Sequence, residues 1–288
     1  MADVLLELAG SLLMTKLAWS VAAITDRGLH RSENQDNFYI SPDMRVFVVA
    51  DGMGGLKGGA RASKLAVDAV EALWKENPPD FADREAVQQW LVDAVASANQ
   101  SVFTAASQDE SVQNMGTTIV AGVQTEANTL QIAHVGDSRA YLIRDGKTIV
   151  LTQDHSVVME MVLKGQLTQE QFKNSPFRHY LTRCVGHSGK VEIDRTPVEL
   201  HPDDLIILST DGLSAVLDEE QIYQEMKGSN TPKEICDALL KSTLDGGAPD
   251  NVTILAVKYT AHVDEQDKTE KPKKKKEKEK EKSGDRSS

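Results

Sequence analysis

The residues of this sequence best suited to chemistry are aspartates placed where apolar segments end. Three such segments lead into Asp51-Gly52, Gly136-Asp137 and Asp211-Gly212, and Asp36 and Asp250 lie in polar, turn-like segments. A single Asp-Gly pair is usually an ordinary turn, but three similar strand ends indicate carboxylates that folding brings together. Separate carboxylates without a Cys or His cluster suit Mg²⁺ or Mn²⁺, which bind carboxylates, carbonyls and waters. The pattern therefore predicts a two-metal hydrolytic site.

Arg31 is a candidate for holding phosphate, because a guanidinium can bind two phosphate oxygens at once. The alternative for Arg31 is an ordinary surface arginine beside an acidic strand. The paired glycines at 54–55 and 58–59 do not form a phosphate loop: Lys57 stands where G-x-G-x-x-G requires its last glycine, and G-x-x-x-x-G-K-[ST] does not occur. We expect these glycines to lead the chain into a helix at Ala60.

The charge of the 288-residue chain, −12, is unevenly distributed. Residues 261–288 contain 10 Lys and Arg against 8 Asp and Glu, a net of +2, so residues 1–260 carry −14. An acidic body argues against nucleic acid as a partner, since a binding groove for it requires a basic face. The Lys/Glu-rich residues 261–288 contain little that could be buried, so we expect a disordered tail.

The cysteines and the N-terminus give expectations about the cellular compartment. Cys184 and Cys236 form no CxxC pair, which favours a reducing compartment, and we expect a cytoplasmic protein. Leucines at near-helical spacing predict a small docking helix over residues 1–18. That segment lacks the basic start of a secretory signal and is too short and polar to cross a bilayer, so we expect no membrane span.

The remaining pattern predicts an α+β fold. Apolar stripes at helical spacing predict helices over residues 60–75, 84–106, 219–226 and 232–244, with a polar helical stretch over 156–174. Asp145-Gly146 is a hairpin signal. Strands joined by hairpins, with helices inserted in pairs, indicate antiparallel sheets whose outer faces are covered by helices. Strands are predicted at residues 21–25, 38–40, 45–50, 117–123, 129–135, 139–143, 147–152, 191–199, 204–209 and 253–259.

Taken in order, the motifs resemble the metal-dependent Ser/Thr protein phosphatases of the protein phosphatase 2C type, in their bacterial branch. The resemblance covers residues 21–259, and the combination is far more specific than any single motif. Its elements are Arg31-Ser32-Glu33-Asn34-Gln35-Asp36, Val49-Ala50-Asp51-Gly52-Met53-Gly54-Gly55, Gly116-Thr117-Thr118, His134-Val135-Gly136-Asp137-Ser138-Arg139, Leu151-Thr152-Gln153-Asp154-His155-Ser156, Leu208-Ser209-Thr210-Asp211-Gly212-Leu213 and Pro249-Asp250-Asn251-Val252-Thr253.

The resemblance implies a catalytic domain over residues 19–260, built as a central sandwich of two antiparallel β-sheets flanked by helix pairs in a four-layer αββα arrangement. It also implies a mobile flap over residues 159–183 beside a cleft at one end. The site roles that it implies are a bridging carboxylate for two metals (Asp51), a carbonyl ligand (Gly52), further ligands of the first metal (Asp211, Asp250), a water-mediated ligand of the second (Asp36), a third and weaker metal site (Asp137) and the phosphate clamp (Arg31).

The implied activity is direct hydrolysis of phosphoserine and phosphothreonine in proteins by a metal-activated water, opposing a Ser/Thr kinase in signal transduction. The cofactors would be Mn²⁺ or Mg²⁺, two bound tightly and a third more weakly, and we expect a monomer. Two departures leave the general acid unassigned, because Met53 and Leu56 stand where some relatives carry a histidine. A metal-bound water could serve instead.

Two alternatives stay open on the sequence. One is a related hydrolase that acts on small phosphate esters or on one specific phosphoprotein, which surface features outside the motifs would decide. The other is a phosphopeptide-binding pseudophosphatase. That hypothesis requires a missing metal aspartate, whereas Asp36, Asp51, Asp211 and Asp250 are all present.

Overall fold

Two antiparallel β-sheets lie face to face at the centre of the protein, with helices against both outer faces. The computed structural model describes residues 16–261 except 169, 172–174 and 178. The strands are β1 (Leu17–Asp26), β2 (Asp36–Ile40), β3 (Val46–Met53), β4 (Gly116–Thr117), β5 (Ile119–Gln124), β6 (Thr129–Val135), β7 (Arg139–Arg144), β8 (Lys147–Val150), β9 (Asp194–Glu199), β10 (Leu205–Ser209) and β11 (Val252–Ala261).

The helices lie between the strands along the chain. A short 3₁₀ turn, Glu110–Val112, follows the second helix. The helices are α1 (Gly55–Glu76), α2 (Arg84–Gln108), α3 (Val157–Leu163), α4 (Asp211–Ser214), α5 (Glu219–Met226) and α6 (Pro232–Asp245).

The strand order is β1-β11-β10-β7-β8 in one sheet and β2-β3-β5-β6-β9 in the other, with β4 paired to the end of β3. Strand β3 shows why the central strands are apolar on both faces. Phe47 and Val49 point into the space between the sheets, while Val46, Val48 and Ala50 pack under α1 and α2. Because both faces of β3 are covered, its apolar residues need not alternate with polar ones.

The second outer layer is built in the same way. Tyr141 and Ile207 leave the first sheet on its outer side and pack against Leu213, Ile235 and Leu239 from α4 and α6. Helix α6 begins with a capping box in which the Thr231 hydroxyl accepts from the Glu234 amide, with Pro232 in its first turn. These layers confirm the predicted αββα sandwich.

Several boundaries differ from the sequence predictions. Helix α1 begins at Gly55, not at Ala60, so Gly58 and Gly59 lie inside its first turns. The strand predicted over 117–123 is divided at Thr118 into β4 and β5. The long helical stretch predicted over 156–174 is described as a helix only over α3 and residues 170–171. Helix α4, four residues long, was not predicted.

Strand β1 pairs with β11 from Leu17↔Ala261 onward, so the sandwich extends beyond the predicted boundaries at 19 and 260. Most of the predicted N-terminal helix, residues 1–15, and the predicted Lys/Glu-rich tail after Ala261 lie outside the described residues. In the part of the chain that the structure describes, none of the helices has the length and apolarity needed to cross a membrane.

Candidate active site

A cavity of about 690 Å³ opens at one end of the sandwich, where β3, β6 and β10 end. Six of the seven predicted site residues line it. They are Arg31, Asp51, Gly52, Asp137, Asp211 and Asp250. The seventh, Asp36, lies behind the cavity wall as the direct cross-strand partner of Asp51. The structure therefore brings together all the carboxylates that the strand-end pattern selected.

Asp51 is held at the end of β3 by its own backbone. Its amide donates to the Thr118 hydroxyl at 3.0 Å, and its carbonyl accepts from the Thr118 amide and the Thr117 hydroxyl. The next residue, Gly52, is closely packed: a Cβ there would lie 2.0 Å from the carbonyl oxygen of Gly59 in α1. Only glycine allows this approach between strand and helix, and it fixes the direction in which Asp51 leaves the sheet.

One oxygen of the buried Asp36 carboxylate is hydrogen-bonded to hydroxyls at the end of β10 and in β11. Its Oδ2 accepts from the hydroxyls of Thr210 and Thr253 at 2.9 and 2.8 Å. Its Oδ1 is buried and has no hydrogen-bond partner among the described residues. Burial, together with the charges of Asp211 and Asp250, raises the pKa of Asp36 to about 7. The free oxygen is the feature that a cation or its bound water could satisfy.

Asp211 and Asp250 come from opposite ends of the helical segment that follows β10. Asp211 is the first residue of α4, and its Oδ1 is also buried without a hydrogen-bond partner in the described chain. Asp250 Oδ2 accepts from Arg31 Nη2 at 2.6 Å, and Arg31 is half exposed at the cavity rim. Burial and the charge of Asp211 raise the pKa of Asp250, although Arg31 opposes the shift.

Asn251 fixes the loop that carries Arg31. Its side-chain amide donates to the carbonyls of Arg27 and Glu33, and its Oδ1 accepts from the Gln35 amide. One buried side chain thus joins the turn before β11 to the loop between β1 and β2. This contact explains how Arg31 and Asp250, 219 positions apart, reach the same rim.

Asp137 lies in the tight turn between β6 and β7. Gly136 has a φ of +106° and packs against Thr118, so a side chain there would be strained. His155 holds this turn from behind: its Nδ1 accepts from the Gly136 amide at 3.1 Å, and its own amide donates to the Gly136 carbonyl at 3.0 Å. Burial and the charge of Asp211 raise the pKa of Asp137 well above its ordinary value.

His134, His155 and Asp194 also lie close enough together to be considered as metal ligands, with candidate atoms within 4.8 Å of one another. The hydrogen bonds argue against that role. The Gly136 amide occupies Nδ1 of His155, whereas a metal-bound histidine normally donates a proton from its second nitrogen. The two imidazoles stack with centroids 4.6 Å apart. This group is therefore a support for the Asp137 turn.

Two described residues of the predicted flap, His179 and Leu181, line one side of the cavity. The ends of the flap are tied to the motif around His155: the Thr182 amide donates to the His155 carbonyl, and the Val157 amide donates to the Tyr180 carbonyl. His179 reaches over the cluster, with Nδ1 3.2 Å from Asp211 Oδ2. Asp137, His179 and Asp211 form a second group whose candidate ligand atoms lie within 4.8 Å.

The charge of the cluster shows what it is suited to bind. Burial comes first among the causes that raise the pKa of Asp51 well above its ordinary value, followed by the charges of Asp36, Asp211, Asp137 and Asp250. Buried like charges of this kind destabilise one another unless a proton or a cation compensates them. Two carboxylate oxygens without donors, a nearby glycine carbonyl and an oxygen-only donor set fit hard divalent cations.

The sequence motifs contain several of these residues without assigning them a role. Thr210 and Thr253 act through hydroxyls that no spacing rule marks, and His155 acts on a turn 19 residues away. His179 is included only in the range of the predicted flap. The position of Thr210 and Thr253 within motifs that also contain a metal-ligand candidate is the signal that could have drawn attention to them.

Comparisons with known proteins agree with this geometry. The family model described as protein phosphatase 2C matches residues 29–244. The chain is 34% identical over 250 residues to the serine/threonine phosphatase stp of Listeria monocytogenes, covering 86% of this chain and 96% of that protein. It is 31% identical over 242 residues to the protein phosphatase PhpP of Streptococcus pneumoniae, covering 82% and 96%.

Solved structures show the same likeness. The serine/threonine phosphatase PstP/Ppp of Mycobacterium tuberculosis superposes with a TM-score of 0.76 at 32% identity, covering 85% of this chain and 99% of that one. The catalytic domain of PstP in complex with two manganese ions gives a TM-score of 0.75 at 32% identity, with coverage of 85% and 99%.

The raised pKa of Asp36 predicts a stability gain when its charge is removed from the metal-free protein. A carboxyl with a folded pKa of about 7 and an ordinary value of 3.8 supports the fold fully below about pH 4, and this support is lost as the pH rises through 7. In chelator at pH 8, Asp36→Asn should therefore be more stable to urea by up to about 4 kcal/mol, since a pKa raised from 3.8 to about 7 corresponds to about 1.4 kcal/mol per unit. The gain should shrink at pH 5.

Asp68→Asn is the matched control for that experiment, because Asp68 lies in an exposed i,i+4 ion pair on α1. It should change little at either pH. A metal-free Asp36→Asn protein that is less stable than the parent at pH 8 would contradict the interpretation that the charged Asp36 carboxylate destabilises the metal-free fold.

The contact of His155 with the Asp137 turn predicts a local effect on hydrogen exchange. His155→Ala leaves the Gly136 amide without its acceptor, a loss of roughly 1–3 kcal/mol, so exchange of that amide should accelerate by about ten- to a hundredfold. His155→Asn offers an oxygen in a similar place and should restore much of the protection. His187→Ala, at an exposed histidine, is the control. Unchanged protection in His155→Ala would show that the turn does not depend on this side chain.

Proposed function

The chain belongs to the protein phosphatase 2C family, and we propose that its carboxylate cluster is the metal centre with which it hydrolyses phosphoserine and phosphothreonine in proteins. It is a serine/threonine protein phosphatase, like its relative named stp, and its relative PhpP is named a protein phosphatase. The observation that carries the site assignment is the convergence of buried, mutually repelling carboxylates with raised pKa at the mouth of one cavity.

The proposed role of each residue follows from its position in the carboxylate cluster. Asp51 lies at the centre of the cluster, since the charges of four other aspartates contribute to raising its pKa, and it would be a ligand shared by two Mn²⁺ or Mg²⁺ ions. Gly52 would supply a carbonyl beside it, and Asp211 and Asp250 would complete the first site. Asp36, whose Oδ1 has no hydrogen-bond partner among the described residues, would orient a water at the second site.

Asp137 belongs to a third and weaker site. It shares a group of candidate ligand atoms with His179 and Asp211, and its charge comes after those of Asp36 and Asp211 among the causes that raise the pKa of Asp51. Fewer protein oxygens leave more waters on a cation, and a cation that keeps more of its waters is held less tightly.

When bound, the metal ions would lower the pKa of a water enough for it to lose a proton near neutral pH, which makes it a nucleophile for phosphorus. Arg31 lies at the rim with its guanidinium half exposed, where it binds the phosphate oxygens and neutralises their charge. Asp250 orients Arg31 through the 2.6 Å contact between them. Met53 lines the cavity without a proton to give, so the leaving alcohol takes its proton from a water rather than from this side chain.

We also propose the class of substrate and the cellular location of the protein. Substrates are phosphorylated proteins, so a cognate Ser/Thr kinase must act on the same residues. The free cysteines Cys184 and Cys236 support a reducing compartment and a cytoplasmic location.

Activity against a panel of phosphothreonine and phosphoserine peptides with Mn²⁺, with and without chelator, tests the function. Metal-dependent release of phosphate from peptides supports the proposal. Turnover of a small aryl phosphate alone would favour the hydrolase of small esters, and tight peptide binding without turnover would favour the pseudophosphatase.

The central position of Asp51 and Asp211 predicts that Asp51→Ala and Asp211→Ala lose activity while keeping the fold. Losing a direct ligand should cost more than the roughly 10- to 100-fold typical of residues behind the ligands. Phosphopeptide turnover at saturating Mn²⁺ measures the loss, and circular dichroism checks the fold. Asp68→Ala is the control, and near-normal turnover in either active-site variant would overturn the two-metal assignment.

The rim position of Asp137 predicts a different result for Asp137→Ala. This variant should still bind two metal ions tightly and should lose much of its activity, because the third ion contributes to turnover but not to the scaffold. Calorimetric Mn²⁺ titration together with kcat on a phosphopeptide separates the two effects. Loss of the tight sites would refute this division of roles, as would full activity.

A further inference from the structure

Strand β1 forms one edge of the first sheet: β11 pairs with it on one side, and no described strand pairs with it on the other. Its ten residues, Leu17–Asp26, pair with β11 without a break. Residues 252–257 of β11 are all buried, whereas none of residues 18–26 of β1 is fully buried. The side chains of β1 pack against apolar residues on both faces of the sheet, so this exposure comes from the open edge.

The hydrogen bonds of β11 show which backbone groups of β1 point out of that edge. The Tyr259 amide donates to the Asp204 carbonyl, and the Tyr259 carbonyl accepts from the Asp203 amide, so Tyr259 bonds towards β10. Bonding alternates along an antiparallel strand that has a neighbour on each side. The odd-numbered residues of β11 therefore bond towards β10, and the even-numbered residues bond towards β1.

The β1 partners of these even-numbered residues are also even-numbered, as in Ala22↔Ala256. The odd-numbered residues of β1 consequently point their amides and carbonyls away from β11. The Leu17 amide shows this directly, because it donates to Asn128 Oδ1, in the turn between β5 and β6, at 3.2 Å. Further along the edge, no described residue bonds to the outward backbone groups of Trp19, Val21, Ala23 and Thr25.

This edge lacks the features by which natural sheets avoid pairing with another strand, which are short length, charges and proline. The other edges have them: β2 has five residues, β8 has four and begins with Lys147, and β9 combines Pro197 with three charged residues. Strand β1 has ten residues, no proline, glycine, lysine or arginine, and one charge, Asp26, at its end. It is therefore the edge best able to accept another strand.

We propose that β1 binds β1 of a second copy of this chain, antiparallel and across a two-fold axis, so that two five-stranded sheets join into one. A monomer is the expectation from the sequence, and the proposal makes the opposite prediction. It concerns the edge of the sheet and not the carboxylate cluster, so it does not depend on the proposed function.

The strand is complementary to itself in this arrangement. With the two-fold axis at Ala22, Trp19 of each copy lies opposite Thr25 of the other, and Val21 lies opposite Ala23. All of these opposed residues carry outward backbone groups, so each opposed pair exchanges two hydrogen bonds. The pairing begins beyond Leu17, whose amide is already bonded within its own chain.

Charge also favours the antiparallel arrangement. Asp26 lies opposite the uncharged Ala18, so no like charges meet across the edge. The carboxylate cluster lies at the Asp26 end of β1, because Asp250 comes just before β11 there. At the other end the chain continues from Ala261 towards residues 271–282, which contain eight Lys and three Glu, a net of +5. Antiparallel pairing places the acidic end of each copy beside the end from which the Lys-rich residues of the other continue.

Analytical ultracentrifugation of the full chain over a series of concentrations tests the proposal. The average mass should rise from 31.5 kDa towards twice that value as the concentration increases. Ala23→Pro should hold the mass at 31.5 kDa at every concentration. Proline has this effect because it removes one outward amide and leaves the hydrogen bonds to β11 intact.

Thr148→Pro is the matched control. The Leu151 amide donates to the Ala140 carbonyl, so by the same alternation the Thr148 amide points away from β7, at the other edge of this sheet. This variant should dimerise as the parent does. Circular dichroism checks the fold of both proline variants.

Hydrogen exchange of the parent tests the same edge without a substitution. The outward amides of Val21 and Ala23 should exchange about tenfold more slowly once nine chains in ten are paired, because they exchange only from the unpaired chain. The Ala22 and Ile24 amides, which bond to β11, should be protected at every concentration and serve as the internal control.

Three results would overturn the proposal. The first is a parent mass that stays at 31.5 kDa up to the highest concentration. The second is a dimer that survives Ala23→Pro, since the copies would then meet at another surface. The third is protection of the Val21 and Ala23 amides that does not depend on concentration and disappears when residues 1–15 are deleted, because the chain's own N-terminal segment would then cover the edge. None of these results affects the proposed phosphatase function.

Discussion

Repulsion between buried carboxylates is the constraint on which the rest of this structure depends. Burial raises the pKa of Asp36, Asp51, Asp137 and Asp250, and the negative charge of Asp211 adds to each of these four shifts. Such a cluster costs stability in every metal-free state in which its members are charged. The sandwich offsets the cost with strands that are covered on both faces: Asp36 and Asp51 lie in paired strands, and Asp137, Asp211 and Asp250 lie within two residues of a strand end.

The groups that hold these carboxylates are mostly uncharged. Hydroxyls of Thr210 and Thr253 bind one oxygen of Asp36, and the Asn251 amide fixes the neighbouring loop by binding backbone carbonyls. A protein cation placed among the carboxylates would neutralise them and compete with a metal ion. Neutral donors fix the geometry and leave the negative charge available. Arg31 fits this division because it contacts Asp250 at the rim, where phosphate would enter.

Much of this arrangement could be predicted from the sequence, and the rest could not, for identifiable reasons. Strand ends at Asp51 and Asp211 follow from apolar segments that stop at an Asp-Gly, and the layered fold follows from hairpin signals and amphipathic helices. The sequence predicts that α1 starts at Ala60, five residues too late, because the glycines at 58–59 suggest a turn. A Cβ on Gly59 would lie 2.6 Å from the Gly52 carbonyl oxygen, and a Cβ on Gly58 would lie 3.0 Å from Cβ of Met115. Both glycines allow α1 to pack closely against neighbours that the local helical pattern does not reveal.

The same limit applies to side chains that act on other segments. His155 is recognisable in the sequence as part of a motif. Its contact with Gly136, however, depends on the turn by which the chain leaves β6 in one sheet and enters β7 in the other. That contact joins two regions with different tasks, because the His155 carbonyl also accepts from Thr182 at the end of the flap. Residues of one short motif thus connect the turn that carries Asp137 to the end of the flap, so a displacement of either segment changes contacts that the other depends on. Neither connection is local in sequence, which is why the motif was recognisable and the role of His155 within it was not.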